Sequence, residues 1–131
     1  MTEQLSGASG RPDVTRVNTV ATEVFATVAG RWAVPVVYAL GDETRRFTHL
    51  RAHLDGVSHK VLTQTLRALE RDGLVERTVH PTVPPRVDYA LTPAGRRMRS
   101  AIDGVCAWTR AHLDHIDAAR DRFDGARSGT P

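Results

Sequence analysis

Cysteine is nearly missing from this chain: Cys106 is the only one in 131 residues. One thiol allows no disulfide framework. Long apolar runs are missing too. Nothing approaches the roughly 20 residues of a membrane-spanning helix, and the opening MTEQLSGASGRPDVTR lacks the apolar stretch of a secretory signal. These gaps predict a cytoplasmic protein. There is no glycine-rich phosphate loop, no nucleophile elbow and no paired-carboxylate constellation, so neither a catalytic residue nor a cofactor is expected. Lysine is the last scarcity. Lys60 stands alone beside 17 arginines, and arginine suits planar, bidentate contacts with phosphate and guanine.

What is present is ordinary in bulk and uneven in detail. A hydrophobic fraction of 40% and a charged fraction of 25% fit one globular domain able to bury a core unaided. The net charge is only +3, yet residues 45–99 hold 11 Arg/Lys against 5 Asp/Glu, while the remainder holds 7 against 10. A positive middle points to a polyanionic partner, although a solvated surface explains many such runs.

Residues 1–16 are polar, bear Gly and Pro and show no period, which predicts a disordered tail. Helical spacing begins at Val17, with Val20, Val24 and Val28 four apart and Ala21 and Phe25 beside them. Gly30 interrupts it. Trp32, Val36 and Leu40 mark a second helix, whose first turn tolerates Pro35. GDETRR reads as a loop. Phe47, Leu50 and Leu54 mark a short third helix, ended by Asp55-Gly56. Ser58 is an N-cap for a helix with Leu62, Leu66 and Leu69 on one side and Lys60, Thr63, Gln64, Arg67 and Arg71 on the other. Asp72-Gly73 ends it with a left-handed cap. LVERTVH and RVDYALT read as strands, the second alternating with Val87, Tyr89 and Leu91 on one side. Thr92-Pro93 opens a long last helix whose stripe of Met98, Ile102, Val105, Thr109, Leu113 and Ile116 runs to about Ala119. The polar composition from residue 120 to 131 predicts a flexible tail.

The expected fold class is therefore mainly α with a small β-hairpin: a winged helix-turn-helix spanning residues 17–119. In that arrangement Thr48–Leu54 braces the backbone and Ser58–Arg71 enters the major groove of DNA. Gln64 suits an adenine edge, Arg67 a guanine, and Thr63 a base or a thymine methyl. Lys60, in the first turn beside Ser58 and His59, suits phosphate. Arg45 and Arg46, ahead of the bracing helix, belong with the phosphate contacts. The hairpin tip carries Pro81, Pro84 and Pro85. Prolines fix φ in advance, which lowers the entropic cost of settling on DNA, and they deny a second strand the amides it would pair with. Arg77 and Arg86 behind the tip are the expected wing contacts.

At these residues the chain resembles the HxlR-type family of bacterial winged-helix transcription regulators. The motifs that carry the resemblance are GRW (Gly30–Trp32), RFTHL (Arg46–Leu50), VSHKVLTQTLRALERDGLVER (Val57–Arg77), PTVPPRVDYALTPAG (Pro81–Gly95) and the Ala107-Trp108 pair. The resemblance implies a homodimer on a palindromic operator, joined through the first and last helices. Many relatives carry a Cys-Pro pair about thirteen residues before the Trp, and some use that thiol as a sensor. Thr19-Val20 stands there in this chain, which closes that route.

The dimer interface is expected at Val105, Thr109, Leu113 and Ile116, a stripe too long for one small domain to cover. A small hydrophobic effector is expected, if anywhere, among Val24, Phe25, Trp32 and Trp108 between the first and last helices. An ordinary core is the simpler reading of those four. Cys106 reads as a small apolar residue rather than a redox thiol. His49 and His53, spaced i, i+4, and His112 and His115, spaced i, i+3, have no third ligand, so no metal is expected. The runner-up to a DNA-binding regulator is a winged-helix module that binds only proteins.

Overall fold

A computed structural model describes residues 13–128. Its described residues fall into two compact units, one ending at Arg96 and one beginning at Arg97. The first holds helices α1 (Val14–Val28) and α2 (Ala33–Leu40), strand β1 (Arg45–Arg46), helices α3 (Phe47–His53) and α4 (His59–Arg71), and strands β2 (Val75–His80) and β3 (Arg86–Leu91). Helix α5 (Pro93–Ser128) begins in the first unit and supplies the second. This is the expected winged helix-turn-helix architecture.

α1 starts three residues before the apolar period does. Asp13 caps it, its carboxylate accepting from the Thr15 amide at 3.2 Å. The expected tail therefore overlaps a helix at residues 14–16, and its first twelve residues lie outside the described chain. The C-terminal expectation also differs. The helix runs on to Ser128, because Ala118, Ala119, Arg120 and Arg122 are good helix formers and the Arg127 guanidinium packs over the Phe123 ring, four residues back, at 5.6 Å. Only Gly129, Thr130 and Pro131 follow it.

The core lies in the first unit. Val36, Val37 and Leu40 of α2, Leu50 of α3, and Leu62, Leu66 and Leu69 of α4 are each at most 1% exposed. Removing one such leucine side chain costs about 2–5 kcal/mol, so these three helices are held to one another firmly. α3 and α4 are linked at their N-termini as well, where the Phe47 and His59 rings lie 4.7 Å apart. The Ser58 hydroxyl accepts from the Val61 amide at 3.1 Å, and Gly73, at φ 76°, ends α4 as expected.

The sheet has one strand more than the hairpin. β1, inside the stretch read as a loop, pairs antiparallel with β3 to give the order β1-β3-β2. Two residues are too few to show a period, so nothing in the sequence announced it. Gly95 sets how the hairpin meets α5. A Cβ there would come within 2.0 Å of the Leu74 carbonyl oxygen, so only glycine lets helix and strand approach this closely. The same junction is tied by Thr92, whose amide donates to Leu74 (3.1 Å) and whose hydroxyl donates to Gly73 (2.6 Å). Among the described residues no single helix is long and apolar enough to cross a membrane.

Candidate nucleic-acid interface

α4 buries its leucine side and presents the opposite one. Lys60, Gln64, Arg67 and Arg71 are all exposed, because Leu62, Leu66 and Leu69 fix the rotation of the helix about its axis. Thr63 is part-buried and its hydroxyl already donates to the His59 carbonyl at 2.8 Å. Its methyl group and oxygen lone pairs remain for an outside partner, but its proton does not. Ser58 is engaged in the cap, and His59 is exposed, its ring tilted at 51° against that of Phe47.

The arginines near the sheet separate into two sets that the sequence reading had merged. In-register antiparallel partners share a face and neighbours along a strand alternate. Arg46 is paired with Asp88, and Arg86 with His80, so Arg46, Asp88, Arg86 and His80 lie on one face. Arg45 and Arg77 are both partners of Tyr89 and lie on the other, the face that buries Val75 and Leu91. Arg77 and Arg86, expected together behind the wing tip, therefore point to opposite sides of the hairpin. Arg45 is part-buried, donates to His49 Nε2 at 3.1 Å and lies 3.6 Å from the Glu43 carboxylate. It is braced within the fold, whereas Arg46 is exposed.

Arg46 and Arg86 line the same open cleft, about 570 Å³ in volume, with Phe47, Thr48 and the wing residues Thr82 to Val87. The wing tip is exposed throughout residues 81–85, and the Thr82 hydroxyl donates to the Pro84 carbonyl at 2.7 Å. The Val83–Pro84 peptide is cis.

Of the four residues expected to line an effector site, Val24, Phe25 and Trp32 lie in the first unit and Trp108 in the second. Trp32 lines a cavity of about 340 Å³ with Ala26, Arg31, Val61, Gln64 and Ala68 among its walls. Val24 and Phe25 are not among the residues that line it, and Phe25 is 64% exposed. Trp108 belongs to the second unit and is 54% exposed. Sequence spacing missed Gln64 as a neighbour of Trp32, because the packing of α2, which Trp32 caps, on α4 creates that proximity.

In the second unit Val105 is 65% and Leu113 50% exposed, while Thr109, Ile116 and Cys106 are part-buried. α1 has no buried residue either; Val14 is 72% exposed. The His49 and His53 rings stack at 4.5 Å, and the described residues contain no cluster of three or more metal-ligating side chains.

Residues 27–117 match the HxlR-like helix-turn-helix family. Over 99 residues the chain is 41% identical to an uncharacterized HTH-type transcriptional regulator, YtfH, of Escherichia coli strain K12, covering 76% of this chain and 79% of that one. Among solved structures, a putative transcriptional regulator, YtfH, from Salmonella typhimurium is 40% identical, with a TM-score of 0.63 over 77% of this chain and 90% of its own. The redox regulator HypR in its reduced form is 30% identical, with a TM-score of 0.64 over 75% and 97%. A helix-turn-helix with an exposed polar face on its second helix, a wing beside it, and motifs shared over most of the chain lead to one conclusion: the chain belongs to the HxlR-like helix-turn-helix family of transcriptional regulators.

Proposed function

We propose that this protein binds double-stranded DNA as a cytoplasmic homodimer, reads a palindromic operator with α4 of each protomer and acts as a repressor. The observation that carries this is the outward face of α4. Lys60, Gln64 and Arg67 are exposed, so their donors can meet base edges and phosphates. The exposed valines of α1 and the Val105 and Leu113 positions of α5 support dimerisation, since apolar side chains repeated along a helix mark an interface. Two-fold symmetry then sets two α4 helices about 34 Å apart, one turn of DNA. A small apolar effector fits the cavity beside Trp32, whose wall includes Gln64.

Mapping the genomic sites the protein occupies in its host identifies the operator. Gln64→Ala or Arg67→Ala then costs about 1–3 kcal/mol on that operator and much less on random DNA. Equal losses on both would show that these residues read only phosphates. A protein-binding winged-helix module would show neither sequence preference nor a steep salt dependence.

A further inference from the structure

Asp88 is an acid on the face of the sheet that holds Arg46 and Arg86, where a DNA-binding surface gains nothing from negative charge. Its side chain is only 13% exposed, and one oxygen, Oδ2, receives two partners: His80 Nε2 at 2.9 Å and the Arg86 guanidinium at 3.4 Å. His80 and Arg86 are the last paired residues of the hairpin before the proline tip. Arg86 is further confined, because its Nε is buried without a hydrogen-bond partner while its side chain as a whole stays 40% exposed. One end of the guanidinium is thus held by Asp88, and Arg86 lines the cleft that Arg46 also lines.

We infer that Asp88 is a positioning residue for DNA binding: it fixes Arg86 beside Arg46 so that both guanidiniums meet one backbone phosphate in the cleft under the wing tip. The inference rests on the reading of the wing as a DNA contact. A phosphodiester is the occupant because two arginines share the cleft with no acid lining it, and a planar fork held at one nitrogen still offers further N–H donors to a second anion. Asp88 orders the arginine before DNA arrives, which removes an entropic cost from binding.

Two arguments predict opposite signs for one substitution. If Asp88 acted only through its charge, Asp88→Ala would raise the positive potential of the wing and tighten DNA binding. If it positions Arg86, the same change loosens it. The test titrates a fluorescent mixed-sequence DNA duplex with the full-length chain over a salt series, after thermal unfolding has shown each variant to be folded. Arg86→Ala weakens binding about tenfold and lowers the salt slope by about 1. Asp88→Ala weakens it by about 3–10-fold, less than outright loss of the contact because the guanidinium is still present. Asp88→Asn keeps an acceptor oxygen for Arg86 and stays closer to the parent protein than Asp88→Ala does. In an Arg86→Ala background, Asp88→Ala causes no further weakening. Binding at least as tight as the parent in Asp88→Ala overturns the inference and leaves the wing contact standing, provided Arg86→Ala is weakened. A loss that persists in the Arg86→Ala background also overturns it, since Asp88 would then act through the hairpin as a whole. No effect of Arg86→Ala refutes the wing contact itself and the inference with it.

Discussion

Replacing Gly95 with alanine tests whether the junction between the hairpin and α5 is as tight as its geometry implies. Glycine inside a helix ordinarily costs about 1 kcal/mol relative to alanine, so propensity alone predicts that Gly95→Ala stabilises. The structure predicts the reverse. The new Cβ would sit 2.0 Å from the Leu74 oxygen and 3.0 Å from its carbonyl carbon, both backbone atoms that cannot rotate away. Helix and strand must part by about 1 Å, an overpacking that costs about 1–3 kcal/mol. That movement also strains the Thr92 bonds to Leu74 and Gly73, each worth about 0.5–1.5 kcal/mol. Set against the propensity gain, the net loss is about 1–5 kcal/mol. At about 4 °C per kcal/mol for a chain of this size, the midpoint falls by about 4–20 °C in thermal unfolding followed by circular dichroism. Gly104 is the internal control: nothing lies within 4 Å of a Cβ placed there, so Gly104→Ala stabilises or is neutral. A Gly95→Ala midpoint equal to or above that of the parent would refute the reasoning, and with it the close approach of α5 to Leu74.

Three further outcomes are expected. Replacing Pro84 and Pro85 with glycines weakens operator binding with the fold and dimer intact, mostly through a faster off-rate in surface plasmon resonance, because the tip then loses entropy on binding; unchanged affinity would assign the prolines to folding or solubility. Leu113→Asp with Ile116→Asp yields a monomer in sedimentation that no longer holds the operator despite an untouched α4, and a variant that stays dimeric places the interface elsewhere. A hydrophobic metabolite that enters the cavity beside Trp32 quenches tryptophan fluorescence and shifts operator affinity together, by reciprocal coupling; quenching without a change in affinity shows a bound molecule that is not an effector.

The helices of the first unit and the hairpin strands were legible because each carries its own signal. Leu62, Leu66 and Leu69 recur at helical spacing, Ser58 caps and Gly73 stops, and all of these act within one or two turns of chain. The same leucines determined which side of α4 faces outward, so Lys60, Gln64 and Arg67 could be named from spacing alone. Asp13 was a local signal as well, passed over because it stands before the apolar period begins. Other features have no local signature. β1 exists only through its pairing with β3, and the separation of Arg46 and Arg86 from Arg45 and Arg77 depends on register, which is a relation between strands. The hold of Asp88 on His80 and Arg86, the cavity that joins Trp32 to Gln64, and the tight approach of Gly95 to Leu74 bring together residues whose spacing in the chain predicts no contact. The sequence by itself determined which elements form and which side of α4 is polar, because backbone propensity and periodicity act over a few residues. Only the tertiary structure decided which charges share a face and which of them are already engaged, because those are properties of neighbours across space.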